Sequence, residues 1–187
     1  MGISKVSSVK INRTKKNRAI FLDRDGVINE VVIENSKPAS PRKLEEFRLI
    51  LDIEKPLQHF RESGFLNIVI TNQPDVARGL LSLEVLEKMN RHIKESLPID
   101  DILFCPHDDN DMCLCRKPNP GLIISAAKTW GIDLSKSYFI GDTWRDMEAG
   151  KKVGCKTVLL NKSYNNDTHS GYDFKINSLN EVVCLLK

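Results

Sequence analysis

The stretch Arg18-Ala-Ile-Phe-Leu-Asp-Arg-Asp-Gly-Val-Ile-Asn29 decides the fold. Its apolar run, Ala19 to Leu22, stops at two carboxylates two residues apart, Asp23 and Asp25, and Gly26 follows at once. A short apolar run closed by a turn signal reads as a buried strand of a parallel sheet. In such sheets ligands sit in the crevice beyond the carboxyl ends of the strands. Side chains alternate along an extended chain, so residues i and i+2 share a side until the turn begins. Two carboxylates that close repel unless a cation lies between them or one holds a proton. Either resolution makes this strand end a candidate site.

Outward from it, strand signals recur near 18–23, 67–71, 101–105, 137–141 and 156–160. Helical patterns lie between them near 43–63, 82–96, 119–130 and 144–153. This alternation predicts a Rossmann-like, three-layer α/β/α fold with a mainly parallel sheet. Asn119-Pro120 suits a helix start, with Asn as cap and Pro at the first helical position, and Gly131 suits that helix's stop. Residues 161–172 read as a loop, 173–177 as an edge strand and 179–186 as a closing helix. Between Asp25 and Thr71 there is room for a flap and one helix, and 73–104 hold one helix and a strand, so no large cap domain is expected.

With 187 residues, 41% hydrophobic and 28% charged, the chain has the makings of one soluble globular domain. No apolar stretch reaches membrane-span length and no apolar core follows the N-terminus, so a cytoplasmic monomer with no membrane partner is expected. Six lysines and arginines and no acid occupy the first eighteen residues, while the remainder carries a net charge of −3. Residues 1–17 therefore read as a flexible basic leader and 18–187 as the domain. Without a basic stripe interleaved with aromatics, nucleic acid is not the expected partner.

Cys105-Pro-His107, five residues, then Cys113-Leu-Cys115 place four soft or borderline ligands within eleven residues. Four protein ligands with no open position suit a structural Zn²⁺ site of Cys₃His type, the alternatives being core cysteines or redox thiols. This short zinc-binding loop would order a polar segment and runs straight into Arg116-Lys117. Cys155 and Cys184 lie in apolar segments and read as core.

Further strand ends carry polar groups. Thr71 and Asn72 follow Ile68-Val69-Ile70, Gly141-Asp142 ends Tyr138-Phe139-Ile140, and Asp146 comes four residues later. Asp, Thr, Lys and Asp in that order resemble the haloacid dehalogenase (HAD) superfamily of phosphatases over residues 18 to 160. The resemblance implies Asp23 as nucleophile and Asp25 as general acid and base. Asp23 should stay ionised while Asp25 can hold a proton. It also implies Mg²⁺ held by Asp23, the backbone carbonyl of Asp25 and Asp142, an all-oxygen set of the kind that cation prefers. Asp146, one helical turn from Asp142 on the same face, would order the metal's waters. Thr71, Asn72 and Lys117 would bind the phosphoryl group.

The motifs Phe21-Leu-Asp-Arg-Asp-Gly26, Thr71-Asn-Gln73 and Cys115-Arg-Lys-Pro118 resemble one branch, which holds heptose 1,7-bisphosphate 7-phosphatases and histidinol phosphatases. Ala77-Arg78-Gly79 and Pro118-Asn-Pro-Gly121 resemble the heptose enzymes, which implies a small phosphorylated sugar, nucleotide-heptose metabolism, and Gln73, Arg78 and Arg116 on the substrate. Three features depart from that pattern. The five-residue metal loop is closer to the histidinol phosphatases, Thr143-Trp144 stand where many heptose enzymes place a lysine, and Asp75 puts an acid beside an anionic substrate. Histidinol phosphatase, nucleic-acid 3′-phosphatase and a non-catalytic sugar-phosphate binding module are the other readings.

Overall fold

The computed structural model describes residues 16–164 and 171–186. Five strands fall close to where the sequence predicts them: β1 (Arg18–Leu22), β4 (Phe65–Asn72), β5 (Asp101–Cys105), β6 (Tyr138–Gly141) and β7 (Lys156–Leu160). With β8 (Phe174–Ile176) they form a wholly parallel six-stranded sheet ordered β5-β4-β1-β6-β7-β8. The chain moves from β1 outward through β4 and β5, then returns to β6 on the other side. The carboxyl end of β1 is thus the switch point, where this topology opens a crevice.

Alternation along β1 builds two cores. Ile20 and Leu22 enter one with Val69, Ile140 and Val158, beneath α1 (Glu54–Glu62) and α2 (Leu83–Ser96). Ala19 and Phe21 enter the other with Ile68, Ile70 and Phe139, beneath α3 (Gly121–Trp130). Helix α4 (Trp144–Lys152) adds Ala149 to that second core. Phe21 and Phe139 stack across neighbouring strands at 6.3 Å between ring centroids. No helix among the described residues is long and apolar enough to cross a membrane.

The expected helix over 43–63 is mostly replaced. A 3₁₀ turn covers Leu44–Glu46, and α1 begins only at Glu54. Between them the backbone pairs with the segment after the first motif: Ile50 donates to the Ile28 carbonyl (3.0 Å) and Glu30 to that of Arg48 (2.8 Å). Those pairings consume the groups a helix would need. The anticipated flap is a hairpin, β2 (Val32–Glu34) with β3 (Lys37–Ala39), turned at Asn35 and Ser36, both at positive φ. Asn119 does not cap α3. Its amide donates to the Cys113 carbonyl (3.0 Å), and Pro120 takes the cap position. Gly131 ends α3 in the left-handed conformation, as expected. The closing segment is a 3₁₀ helix, Leu179–Leu185.

Residues 1–15, most of the basic leader, lie outside the described residues, but Asn17 already bonds to the Gly131 carbonyl (3.0 Å). Phe139 is fully buried between sheet and helices. Phe139→Ala should cost about 3–5 kcal/mol, read as a lowered midpoint in urea unfolding.

Candidate active site

Lys117 is the centre of the site. It is 3% exposed, and its ammonium meets Asp23 Oδ1 at 2.7 Å, Asp146 Oδ1 at 2.6 Å and the Ile70 carbonyl at 2.8 Å. Its backbone is clamped by one side chain, because Asn72 Oδ1 accepts from Lys117 N (3.0 Å) and Asn72 Nδ2 donates to Lys117 O (3.0 Å). Asn72, expected on the phosphate, has its amide engaged at both ends in holding the lysine.

Carboxylate oxygens of Asp23, Asp142 and Asp146 lie within 4.8 Å of one another. Three carboxylates buried this close together repel one another, so beside Lys117 the set is suited to a further cation. Its donors are all oxygen, the chemistry of a hard divalent ion such as Mg²⁺. Burial raises Asp23 well above the usual carboxylate range; Lys117 opposes this, and Asp146 and Asp142 add to it. Burial likewise pushes Asp142 up to about 7, Asp146 adding to the shift while the Tyr164 hydroxyl, donating at 2.7 Å, opposes it.

Asp146 is not on a shared helical face with Asp142, because Asp142 precedes α4. Asp146 instead closes a capping box: its Oδ2 accepts from Thr143 N (3.0 Å) and Oγ1 (2.6 Å), while its other oxygen faces Lys117. Gly141 makes this possible, since a Cβ there would collide with the Asp146 side chain. At Gly26 (φ +85°) a Cβ would meet Asp142 and the Tyr164 hydroxyl.

Asp25 occupies a different environment. It accepts from Arg24 (3.0 Å), Asn29 (2.9 Å), Ser40 on the flap (2.8 Å) and Gln73 (2.7 Å). Burial works to raise its pKa, but Arg24 and the three neutral donors outweigh it and hold Asp25 low. The split between the two carboxyls is thus the reverse of the order expected from sequence. Gln73 is fully buried and also donates to Thr71 Oγ1 (2.9 Å), so it orients the pair rather than reaching into the cleft.

Asp23, Asp25, Thr71, Lys117 and Asp142 line a cleft of about 280 Å³. Arg78 and Arg116 stand on its wall as expected, yet both are engaged. Arg78 forks onto Asp108 (2.6 and 2.8 Å) and reaches Asp75 (3.1 Å), and Arg116 bonds to Asp109 (2.8 Å). The odd acid Asp75 is explained here, because it also accepts from Arg42 of the flap connection (2.6 Å). Reading the sequence missed Arg24, Ser40, Arg42, Tyr164 and Arg145. Only Arg24, wedged between the two aspartates in sequence, carried a signal.

Thiols of Cys105, Cys113 and Cys115 converge with the His107 ring, their ligand atoms also within 4.8 Å of one another. Cys115 Sγ lies 3.1 Å from Cys105 Sγ and 3.5 Å from His107 Nδ1. Cys113 is held down to about 7, chiefly by its contacts with Cys115. Three sulfurs and a nitrogen match a closed tetrahedral metal site. The loop is tied to the strand ends, Gln73 N bonding to Cys105 O (2.7 Å) and Ala77 N to Pro106 O (3.2 Å). Cys155 is buried, as expected, but Cys184 is exposed.

A parallel sheet whose central strand ends in paired aspartates, the first sharing a buried lysine with an aspartate of the helix that follows the next strand-end acid, defines a phosphatase of the HAD type. A family model described as "HAD-hyrolase-like" matches residues 114–179. The D-glycero-beta-D-manno-heptose-1,7-bisphosphate 7-phosphatase of Helicobacter pylori is 38% identical over 150 residues, covering 77% of this chain and 83% of that one. The D-glycero-alpha-D-manno-heptose-1,7-bisphosphate 7-phosphatase of Burkholderia mallei is 35% identical, covering 78% and 80%. Among solved structures, the D,D-heptose 1,7-bisphosphate phosphatase of B. bronchiseptica, complexed with magnesium and phosphate, superposes with a TM-score of 0.76 at 27% identity, covering 90% of this chain and 97% of that one. The chain belongs to the heptose-bisphosphate phosphatase family of HAD-like hydrolases.

Lys117→Met would take from the buried carboxylates of Asp23 and Asp146 the ammonium they share. It should destabilise the fold by about 3–5 kcal/mol at neutral pH. Added Mg²⁺ should restore part of the melting temperature, measured by differential scanning fluorimetry.

Proposed function

We propose that the protein removes the 7-phosphate of D-glycero-D-manno-heptose 1,7-bisphosphate, with Mg²⁺ as cofactor and an aspartyl phosphate on Asp23 as intermediate. The observation that carries this reading is the meeting of Asp23, Asp142 and Asp146 about Lys117 on the floor of an arginine-lined cleft. The names of the relatives support the substrate. The magnesium and phosphate of the B. bronchiseptica complex support the cofactor.

Asp23 Oδ attacks the phosphorus, and the bond from phosphorus to the sugar oxygen breaks. Asp25 gives its proton to the departing alkoxide, then takes one from the water that opens the aspartyl phosphate. An arriving phosphate dianion raises the proton affinity of Asp25, the direction a general acid needs. Arg24, Asn29, Ser40 and Gln73 hold its carboxyl in one orientation. Lys117 keeps Asp23 oriented and offsets negative charge on the transferring group, while Thr71 supplies a hydroxyl to the phosphoryl oxygens. Asp23, the Asp25 carbonyl and Asp142 would hold Mg²⁺, which when bound reduces repulsion between the carboxylate nucleophile and the phosphate. Asp146 acts through Lys117 and Thr143.

Cys105, His107, Cys113 and Cys115 would hold a structural Zn²⁺. The ion would fix the loop that leads into Arg116 and Lys117, at a distance from the chemistry.

Phosphate release with Mg²⁺ from both heptose 1,7-bisphosphate anomers and from histidinol phosphate tests the substrate. A strong preference for one heptose anomer is expected, and preference for histidinol phosphate would overturn the assignment. Asp23→Asn should abolish turnover while leaving the melting temperature within a few degrees of wild type. Cys113→Ala should lose the bound zinc, measured by atomic absorption, and lower activity.

A further inference from the structure

Among the described residues four arginines line the cleft, and three are already committed to carboxylates. Arg42 pairs with Glu34 (2.7 Å) and Asp75 (2.6 Å), Arg78 with Asp108 and Asp75, and Arg116 with Asp109. Arg145 differs. Among the described residues it makes no ion pair, Asp109 feeling its charge without bonding to it, and its guanidinium lies over the Trp144 ring, 4.9 Å from the centroid. It is half-buried, at the second position of α4, between Trp144 and the buried Asp146. The polar side chain two residues earlier is no substitute, because the Thr143 hydroxyl is given to Asp146 at 2.6 Å.

A guanidinium stacked on an indole keeps its in-plane donors free while losing little further side-chain freedom on binding. It therefore stands ready for a planar or tetrahedral anion without first breaking an ion pair, which the other three arginines would have to do. A phosphomonoester seated against Asp23 and Lys117 directs the rest of its molecule outward along the cleft walls. A second anionic group there meets Arg145 as the one arginine of the cleft that, among the described residues, is not already bonded to a carboxylate.

We propose that Arg145, braced by Trp144, is the specificity-determining residue that binds the distal anionic group of a doubly anionic substrate. This rests on the bisphosphate reading given above and adds the residue that distinguishes a bisphosphate from a monophosphate.

The test compares wild type, Arg145→Ala and Arg145→Lys on matched pairs: heptose 1,7-bisphosphate against heptose 7-phosphate, and fructose 1,6-bisphosphate against fructose 6-phosphate. Arg145→Ala is expected to raise KM for the preferred bisphosphate about 10- to 100-fold, the loss of a charge-assisted contact, with kcat nearly unchanged. KM for the matching monophosphate should stay put. Arg145→Lys should recover part of the difference, keeping the charge but not the fork. An unchanged ratio of bisphosphate to monophosphate in every pair, or an equal loss on both members, would overturn the assignment to Arg145. A wild-type preference for the fructose pair, with that ratio lost in Arg145→Ala, would refute the heptose substrate and still support Arg145.

Discussion

Everything at the strand ends depends on one buried ammonium. Lys117 reaches from the loop after the cysteine cluster to the carboxyl end of the sheet and meets the aspartate just past β1, an aspartate from α4 and a carbonyl of β4. Burying one cation costs several kcal/mol unless its partners are well placed, and burying unpaired anions costs as much. Each group is tolerable only because the others are present. The lysine therefore fastens three elements that are far apart in sequence. Its own backbone is fixed in turn by Asn72, and its loop by Gly121 N on the Leu114 carbonyl (3.1 Å).

The two aspartates of the first motif differ by environment, not by chemistry. Asp23 faces other carboxylates and one lysine, whereas Asp25 faces an arginine and three neutral donors. The four donors to Asp25 come from three places: Arg24 and Asn29 in the turn, Ser40 on the flap and Gln73 beyond β4. The flap is thus wired to the acid as well as covering the cleft. Its charged end joins the same system through Arg42, Asp75, Arg78 and Asp108, an alternating row that runs from the hairpin to the cysteine loop.

How much of this was legible depends on the range of the interaction. Strand positions and the switch point follow from apolar runs ending in polar residues, a local signal, whereas the convergence of Asp23, Lys117 and Asp142 was legible only through the resemblance to the HAD phosphatases. The cysteine cluster was legible because its ligands are close in sequence. Three features were not. The helical periodicity over 43–53 lost to backbone pairing with 28–30, a tertiary choice that periodicity cannot register. Asn72 and Gln73 looked like substrate ligands because of where they stand, yet their amides turn to Lys117 and Asp25. Asp75 looked misplaced until its two arginines, one from the flap, came into view.

Asp146 belongs to two structures at once, since one oxygen starts α4 and the other balances Lys117. Gly141 leaves just enough room for it. Drift at this position is therefore restricted from both sides: an asparagine would keep the cap and lose the charge, and a glutamate would keep the charge and overfill the space. The start of the helix and the charge balance of the site share one side chain, so neither can be retuned independently. Among descendants of this chain, positions 141, 143, 146 and 117 should change together or not at all.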